Sequence, residues 1–245
     1  DLCPRYIACY VSDVKIKEAP LWMKRRLALT GMDSISNIVD ITNYVLKEFG
    51  QPMHAFDCNY LEGNEINVRR AADGEKIVTL DSQEYELNSN NLVICDGVKA
   101  VALAGVMGGL NSEIRDTTSA VMFESAKFAR DNIRKTSRAL GKQSDAGSIY
   151  EKGVDEYSTV NGMKRALHLI EELGCGKVSS TYIDVNTGNS IEPKEMKVSL
   201  KRVNDVLGIE VPENEVMRIM KNLNFAPSIN GDELTIMVPA YREDM

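Results

Sequence analysis

The chain has 245 residues, 43% apolar and 27% charged, the balance of a folded protein with a sizeable core in one or two domains and not of a disordered one. Its net charge of −7 gives no general attraction for nucleic acid or anionic membrane, so any phosphate contact has to come from a local basic patch. No apolar run approaches the ~20 residues of a membrane span and no signal-peptide pattern opens the chain. The five cysteines without a CxxC point to neither zinc nor a disulfide framework, but to a reducing, cytoplasmic setting.

From Arg5, "RYIACYVSDVKI" alternates enough to predict a strand. A helix follows over "APLWMKRRLALTG", with Pro20 in its first turn and Gly31 just past its end. "NIVDITNYVLKEFGQPMHAFD", residues 37–57, predicts a second helix. Ile38, Ile41, Val45 and Phe49 recur at spacings of three and four, and Gly50 stops it. This mainly apolar helix carries a polar pair, Thr42 and Asn43, and the turn through Gln51 and Pro52 delivers His54, one of two histidines in the chain.

Between Glu65 and Met122 the texture changes to short β-rich runs, "INVRR", "EKIVTL", "NLVICDG", "KAVALAG" and "SAVMF", broken by turn residues. Helices are expected again over "SAKFARDNIRKTSRALG" and "YSTVNGMKRALHLIEELG", and "VSSTYIDV" predicts one more strand. "NTGNSIEPK" reads as a linker, which places a boundary near Asn189 and divides the chain into 1–188 and 189–245. Beyond it, "MKVSLKRVNDVLG", "PENEVMRIMKNLNF" and "ELTIMVPAYRED" read as strand, helix, helix with a Pro–Glu start, and a strand pair. A start at Asp1 and an end at "REDM" give the expectation of a piece of a longer polypeptide.

His54 reads either as a hydrogen-bonded structural histidine or as a functional one, whereas His168 sits on the face of a periodic helix. Gly105, Gly108 and Gly109 in "ALAGVMGGLNSE" match neither GxGxxG nor GxxxxGK[ST]. They serve turns of positive φ or a floor where a flat ligand nears the backbone. Glu124, after an apolar strand and before a helix, is either a carboxylate at a helix N-terminus or one facing a pocket. Arg130, Arg134, Arg138 and Lys142 recur every four residues as one basic stripe, the best candidate in an acidic chain for touching phosphates. Neither GxSxG nor HExxH occurs. From Ile191 onward Asp and Glu outnumber Lys and Arg, which argues against that unit gripping nucleic acid by charge.

Taken together and in order, "NIVDITNYVLKEFGQPMHAFD", "ALAGVMGG", "FESAKFARDNIRKTSRALG", "SDAGSIYEKGVD" and "VPAYRED" resemble the β subunit of bacterial phenylalanyl-tRNA synthetases over essentially the whole chain. The resemblance implies an α+β protein: a mixed B3/B4-type editing domain, then a small α+β B5 domain resembling a winged or helix-turn-helix fold. It implies hydrolysis of tyrosine mischarged on tRNA(Phe), with Thr42 and Asn43 facing the ester and terminal ribose and His54 orienting or polarising water. Gly105 and Ala146 would leave room for the aromatic ring, and Glu124 would accept the tyrosine hydroxyl. The chain departs from the common family pattern just after Ala146.

Arg130, Arg134, Arg138 and Lys142 would meet the tRNA. Asp244 matches the first of a carboxylate set that binds magnesium in relatives, the others lying beyond Met245. Editing itself needs no cofactor. The resemblance further implies a parent synthetase that uses ATP and Mg2+, pairs with an α subunit in an α2β2 heterotetramer, acts on tRNA(Phe) and its aminoacylated 3′ end, and involves no membrane. The alternative is a non-catalytic tRNA-docking or scaffold module; a small-molecule esterase is disfavoured by the missing nucleophile motif.

Overall fold

A computed structural model describes residues 1–63, 65–187, 192–242 and 244–245. The chain divides into two compact units, Asp1–Asn189 and Ser190–Met245; the boundary expected near Asn189 falls on residues 188–191, outside the described set. The first unit runs β1 (Arg5–Ser12), α1 (Leu21–Leu29), α2 (Asn37–Phe49), β2 (Met53–Asp57), β3 (Asn67–Arg70), β4 (Lys76–Val78), β5 (Glu84–Glu86) and β6 (Leu92–Cys95). It continues with β7 (Ala100–Leu103), β8 (Met107–Gly108), β9 (Val121–Lys127), α3 (Arg130–Ala139), α4 (Asp145–Tyr150), α5 (Glu156–Glu172) and β10 (Lys177–Asn186). Among the described residues these strands form one sheet in the order β10-β1-β9-β2, a second in the order β3-β6-β7-β8, and a separate β4-β5 hairpin.

Alternation along the first sheet sets the layering, because successive side chains in a strand point to opposite faces. Ile7, Cys9, Val11, Val121 and Phe123 join a core with Ile38, Ile41 and Val45 of α2 and Met163, Ala166 and Leu169 of α5. Tyr6, Ala8, Phe56 and Ala126 belong to the other core, shared with Val93, Ile94, Val101 and Leu103 of the second sheet. Helices therefore cover one face of the first sheet, and the second sheet lies against the other.

The polar residues of α2 are accommodated by bonds. The Asn37 amide donates to the Lys15 carbonyl and accepts from the Lys17 N–H, tying the helix start to the preceding chain. Buried Asp40 accepts from the Ser34 hydroxyl and the Ile35 N–H, near the helix N-terminus where a carboxylate also complements the peptide dipoles. Gly50 ends the helix at φ 68°, a left-handed cap that glycine enters without a Cβ penalty.

Two sequence expectations change. "SAKFARDN" does not begin as a helix: β9 continues to Lys127, held by antiparallel pairing with β1 from Arg5↔Lys127 to Val11↔Val121, and α3 starts only at Arg130. Long-range pairing overrides the local helical texture there. The short β5, β8 and α4 were not expected, being too brief to show a period.

The second unit contains β11 (Lys194–Ser199), α6 (Leu200–Leu207), α7 (Glu213–Asn222), β12 (Ser228–Asn230) and β13 (Glu233–Val238), in the element order read from the sequence. Its sheet order is β11-β13-β12. Pro212 caps α7, with Glu213 and Glu215 in the first turn, and Leu200, Val216, Phe225, Leu234, Ile236 and Val238 make its core. Both units mix helices with antiparallel strands, an α+β fold.

Candidate active site between two sheets

The antiparallel register of β9 places Glu124 opposite His54 of β2 on one side and opposite Ala8 of β1 on the other. Residues directly opposite in a sheet share a face. Glu124 is thus in mid-strand and not at a helix N-terminus as one reading of the sequence had it. Its side chain points toward the second sheet, where the Tyr6 hydroxyl donates to Glu124 Oε2 at 2.7 Å.

Beside this pair is a cavity of about 170 Å³, lined by His54, Glu124, Gly105, Ala146 and mainly apolar side chains such as Leu80 and Ile94. A dry cavity of about 150 Å³ accepts benzene, so this one is sized for a single aromatic ring. Tyr150 supplies an aromatic wall, its hydroxyl turned away to the Ala126 carbonyl at 2.9 Å. A roomier hollow of about 550 Å³ lies past Tyr6. The first sheet gives it Tyr6, Ala8 and Met122, and one of its cations, Arg69, is already paired with Glu75.

Burial dominates the electrostatics. His54 Nε2 is buried without a hydrogen-bond partner, and burial lowers the imidazole pKa to about 4, so the ring is neutral at pH 7. The ring stands edge-on to Phe56, centroids 4.5 Å apart. Glu124 is displaced the other way: burial raises it to about 7, and the bond from Tyr6 partly offsets the rise. The Tyr6 phenol is driven well above its usual range by burial first and by the Glu124 charge second, so the shared proton stays on Tyr6.

Gly108 and Gly105 have different reasons to be glycine. A Cβ at Gly108 would stand 2.4 Å from His54 Cε1 and 2.8 Å from Nε2, so its absence is what lets the imidazole lie where it does. Gly105 has φ 67°, and a Cβ there would press on Ile133, Phe128 and Tyr150 at 2.9 to 3.1 Å. Its small size serves backbone conformation and packing against Tyr150, while the residue itself remains in the cavity lining. Ala146 reaches the cavity from α4, whose start is capped by Ser144 Oγ accepting from the Gly147 N–H.

The structure brings together His54, Glu124, Gly105 and Ala146. Thr42 and Asn43 are not among the residues lining this cavity. Thr42 is buried and its hydroxyl donates to the Val39 carbonyl one turn back, while Asn43 is half-buried. The basic stripe also divides. Arg130, Arg134 and Arg138 lie on α3, but Lys142 falls beyond the helix and is paired with Asp81 at 2.5 Å. Among the described residues no ion pair engages Arg134 or Arg138. Asp244 is taken by the Arg242 guanidinium at 2.7 and 2.9 Å, which lowers its pKa to about 2. Among the described residues no cluster of three His, Cys, Asp or Glu could hold a metal ion. The described residues around Asp244 do not by themselves make up a magnesium site.

A family model described as the B3/4 domain matches residues 2–175. The chain belongs to the B3/4 domain family. A second model, the tRNA synthetase B5 domain, matches residues 196–245. Similar curated proteins are phenylalanine–tRNA ligase beta subunits. That of Syntrophus aciditrophicus is 42% identical over 248 residues, 100% of this chain and 31% of the relative. That of Clostridium acetobutylicum is 43% identical over 244 residues, 100% and 31%. That of Oceanobacillus iheyensis is 44% identical over 245 residues, 100% and 30%. The chain therefore spans about 31% of the length of these relatives, and its resemblance to the bacterial β subunit over B3/4 and B5 is borne out.

Tyr6 and Gly108 were not singled out as site residues from the sequence. Tyr6 is one of nine tyrosines, and the only available signal was its place on the face of β1 opposite Ile7, Cys9 and Val11. Gly108 stood in a glycine-rich run whose purpose depends on where His54 comes to rest.

Proposed function

We propose that the B3/4 unit is an editing hydrolase, acting on the ester of tyrosine mischarged on tRNA(Phe) as part of a phenylalanine–tRNA ligase β subunit. The observation that carries this reading is a ring-sized apolar cavity bounded at one face by an unpartnered His54 Nε2 and an ionisable Glu124. A tyrosine ring seated there would place its hydroxyl in reach of Glu124, a charge-assisted bond when the carboxyl is ionised. Phenylalanine would leave the carboxylate buried and unpaired, a loss of roughly 1–3 kcal/mol or more. Sites built around a substrate hydroxyl reject the analogue lacking it for this reason.

The chemistry asked of the protein is small. A water oxygen adds to the ester carbonyl carbon, the bond to the ribose oxygen breaks, and the proton lost by water ends on the departing ribose hydroxyl. The best proton acceptors have a pKa near the working pH. With His54 lowered to about 4, the neutral ring is suited to holding water by a hydrogen bond rather than to taking its proton. Thr42 and Asn43, outside the ring cavity, are assigned to the ester and terminal ribose, the part of the ligand that cannot enter it. Arg130, Arg134 and Arg138 are assigned to tRNA phosphates, with Lys142 reserved for its pair with Asp81.

No cofactor is called for in this reaction. ATP and Mg2+ belong to aminoacylation by the parent enzyme with its α subunit in an α2β2 assembly, in the cytoplasm; no step of that reaction is placed on residues of this chain. No helix among the described residues is long and apolar enough to cross a membrane.

The test is ester loss from tyrosyl- and phenylalanyl-tRNA(Phe) with the chain and its His54→Ala variant, repeated in the full-length subunit with its α partner. Preferential loss of tyrosine that slows in the variant supports the reading. Retained tRNA binding with no loss of either ester in both settings overturns it in favour of a docking module.

A further inference from the structure

We propose that Tyr6 is a specificity-positioning residue, which fixes the Glu124 carboxyl by donating to Oε2 and leaves Oε1 as the acceptor for a ligand hydroxyl. The inference rests on the editing reading above. Its geometric basis is separate from it: the bond is 2.7 Å long, links residues 118 apart in sequence, and joins two buried side chains at 8% and 5% exposure.

A carboxylate has two oxygens able to accept, and a buried one without a fixed partner samples several rotamers. Tyr6 removes that freedom. β1 and β9 are held in register on both sides of the pair, by Arg5↔Lys127 and Cys9↔Phe123, and the rigid phenol reaches across from its own strand. Among the described residues no donor reaches Oε1, while Glu124 itself lines the ring-sized cavity. Tyr6 does not line that cavity; it lines the roomier hollow on the far side. Tyr6 thus acts on a ligand only through Glu124, which is what separates a positioning residue from a contact.

The same bond tunes when Glu124 is ionised. The titratable groups around it are Tyr6 on β1, His54 on β2, Tyr150 on α4 and the Cys3 thiol just before β1. Tyr6 is the one whose hydrogen bond favours the charged form, opposing burial. Losing it moves the ionisation of Glu124 to higher pH, and with it the onset of selection for a hydroxyl-bearing ligand.

The experiment measures the ratio of tyrosyl- to phenylalanyl-tRNA(Phe) hydrolysis from pH 5.5 to 8.5 in the full-length subunit assembled with its α partner, for wild type and Tyr6→Phe. Wild type should gain preference for tyrosine as pH rises through about 7. Tyr6→Phe should lose roughly tenfold of that preference at pH 7, as expected for a hydrogen bond to a charged group, and its midpoint should move to higher pH. Because Tyr6→Phe strands a buried carboxyl, the pair is also made with Glu124→Gln. Tyr6→Phe should then change the ratio little, whereas a merely structural role gives the same loss in both backgrounds and overturns the proposal. An unchanged ratio and midpoint in Tyr6→Phe also overturn it, with the editing reading intact. A wild type with no tyrosine preference at any pH removes the editing reading itself, and this inference with it.

Discussion

His54 and Glu124 stand opposite one another on neighbouring strands, yet burial moves their proton affinities in opposite directions. His54 falls from 6.5 to about 4, so between those values the unfolded chain binds a proton that the folded one refuses. Its contribution to stability is fully present above pH 6.5 and lost on acidification. Glu124 rises from 4.5 to about 7, so the folded chain keeps a proton that the unfolded one releases. Its contribution is fully present below pH 4.5 and lost as pH rises through 7. Across the shared window the two slopes, each about 1.4 kcal/mol per pH unit for one proton, largely cancel. Glu124→Gln should therefore make stability climb with pH between 4.5 and 6.5 relative to wild type, and His54→Gln should make it fall. Urea midpoints at four pH values check both; parallel curves for the three proteins would contradict the buried placement of the pair. At the same scale, Gly108→Ala should push the imidazole aside and slow ester hydrolysis about a hundredfold, the cost of misplacing a reacting group by about 1 Å. Single-turnover rates beside His54→Ala are the check.

At the scale of elements, α3 sorts the basic residues by what else they do. Arg134 and Arg138 project from the helix, whereas Lys142, after its end, ties that loop to Asp81 near the β4–β5 hairpin. Arg134→Ala should reduce the salt dependence of tRNA binding by about one phosphate contact, a slope change of roughly 0.7–0.9. Lys142→Met should leave that slope unchanged and lower stability only slightly, since both partners are partly exposed. Equal slope changes in the two would restore the four-residue stripe. The stripe illustrates what the sequence can and cannot show. α2 was legible because Ile38, Ile41 and Val45 repeat and Gly50 caps, both local signals. Lys142 was misplaced because the same spacing persists past the point where the helix stops at Ala139. Glu124 was noticed as a carboxylate after an apolar run, but its setting between β1 and β2 depends on pairings with residues 116 and 70 positions away, which no local pattern carries. Tyr6 was missed for the same reason.

At the scale of the molecule, every residue lining the ring cavity belongs to the first unit, and the second has its own core. That second core is small: Ser190–Met245 is in the size range where burial alone gives marginal stability. Calorimetry should show two transitions, the lower one absent from a chain ending at Thr187 and the upper one unmoved. Such a chain should keep the wild-type titration of Glu124. A single transition lost entirely on truncation would show that the units do not fold separately.

The threading of the first sheet has a consequence for how the chain is made. Its strands β1 and β10 are joined near their ends by Arg5 and Asp184, 179 residues apart, and the cavity needs side chains as late as Tyr150. A ribosome adding about 5–20 residues per second delivers β1 several seconds before either of its partner strands exists. Through that interval both edges of β1 offer unpaired peptide groups beside Tyr6, Ile7, Cys9 and Val11, a template for association with other chains. The same long-range pairings that fix Tyr6 against Glu124 thus make the nascent chain dependent on delay, shielding or dilution until its last strand emerges.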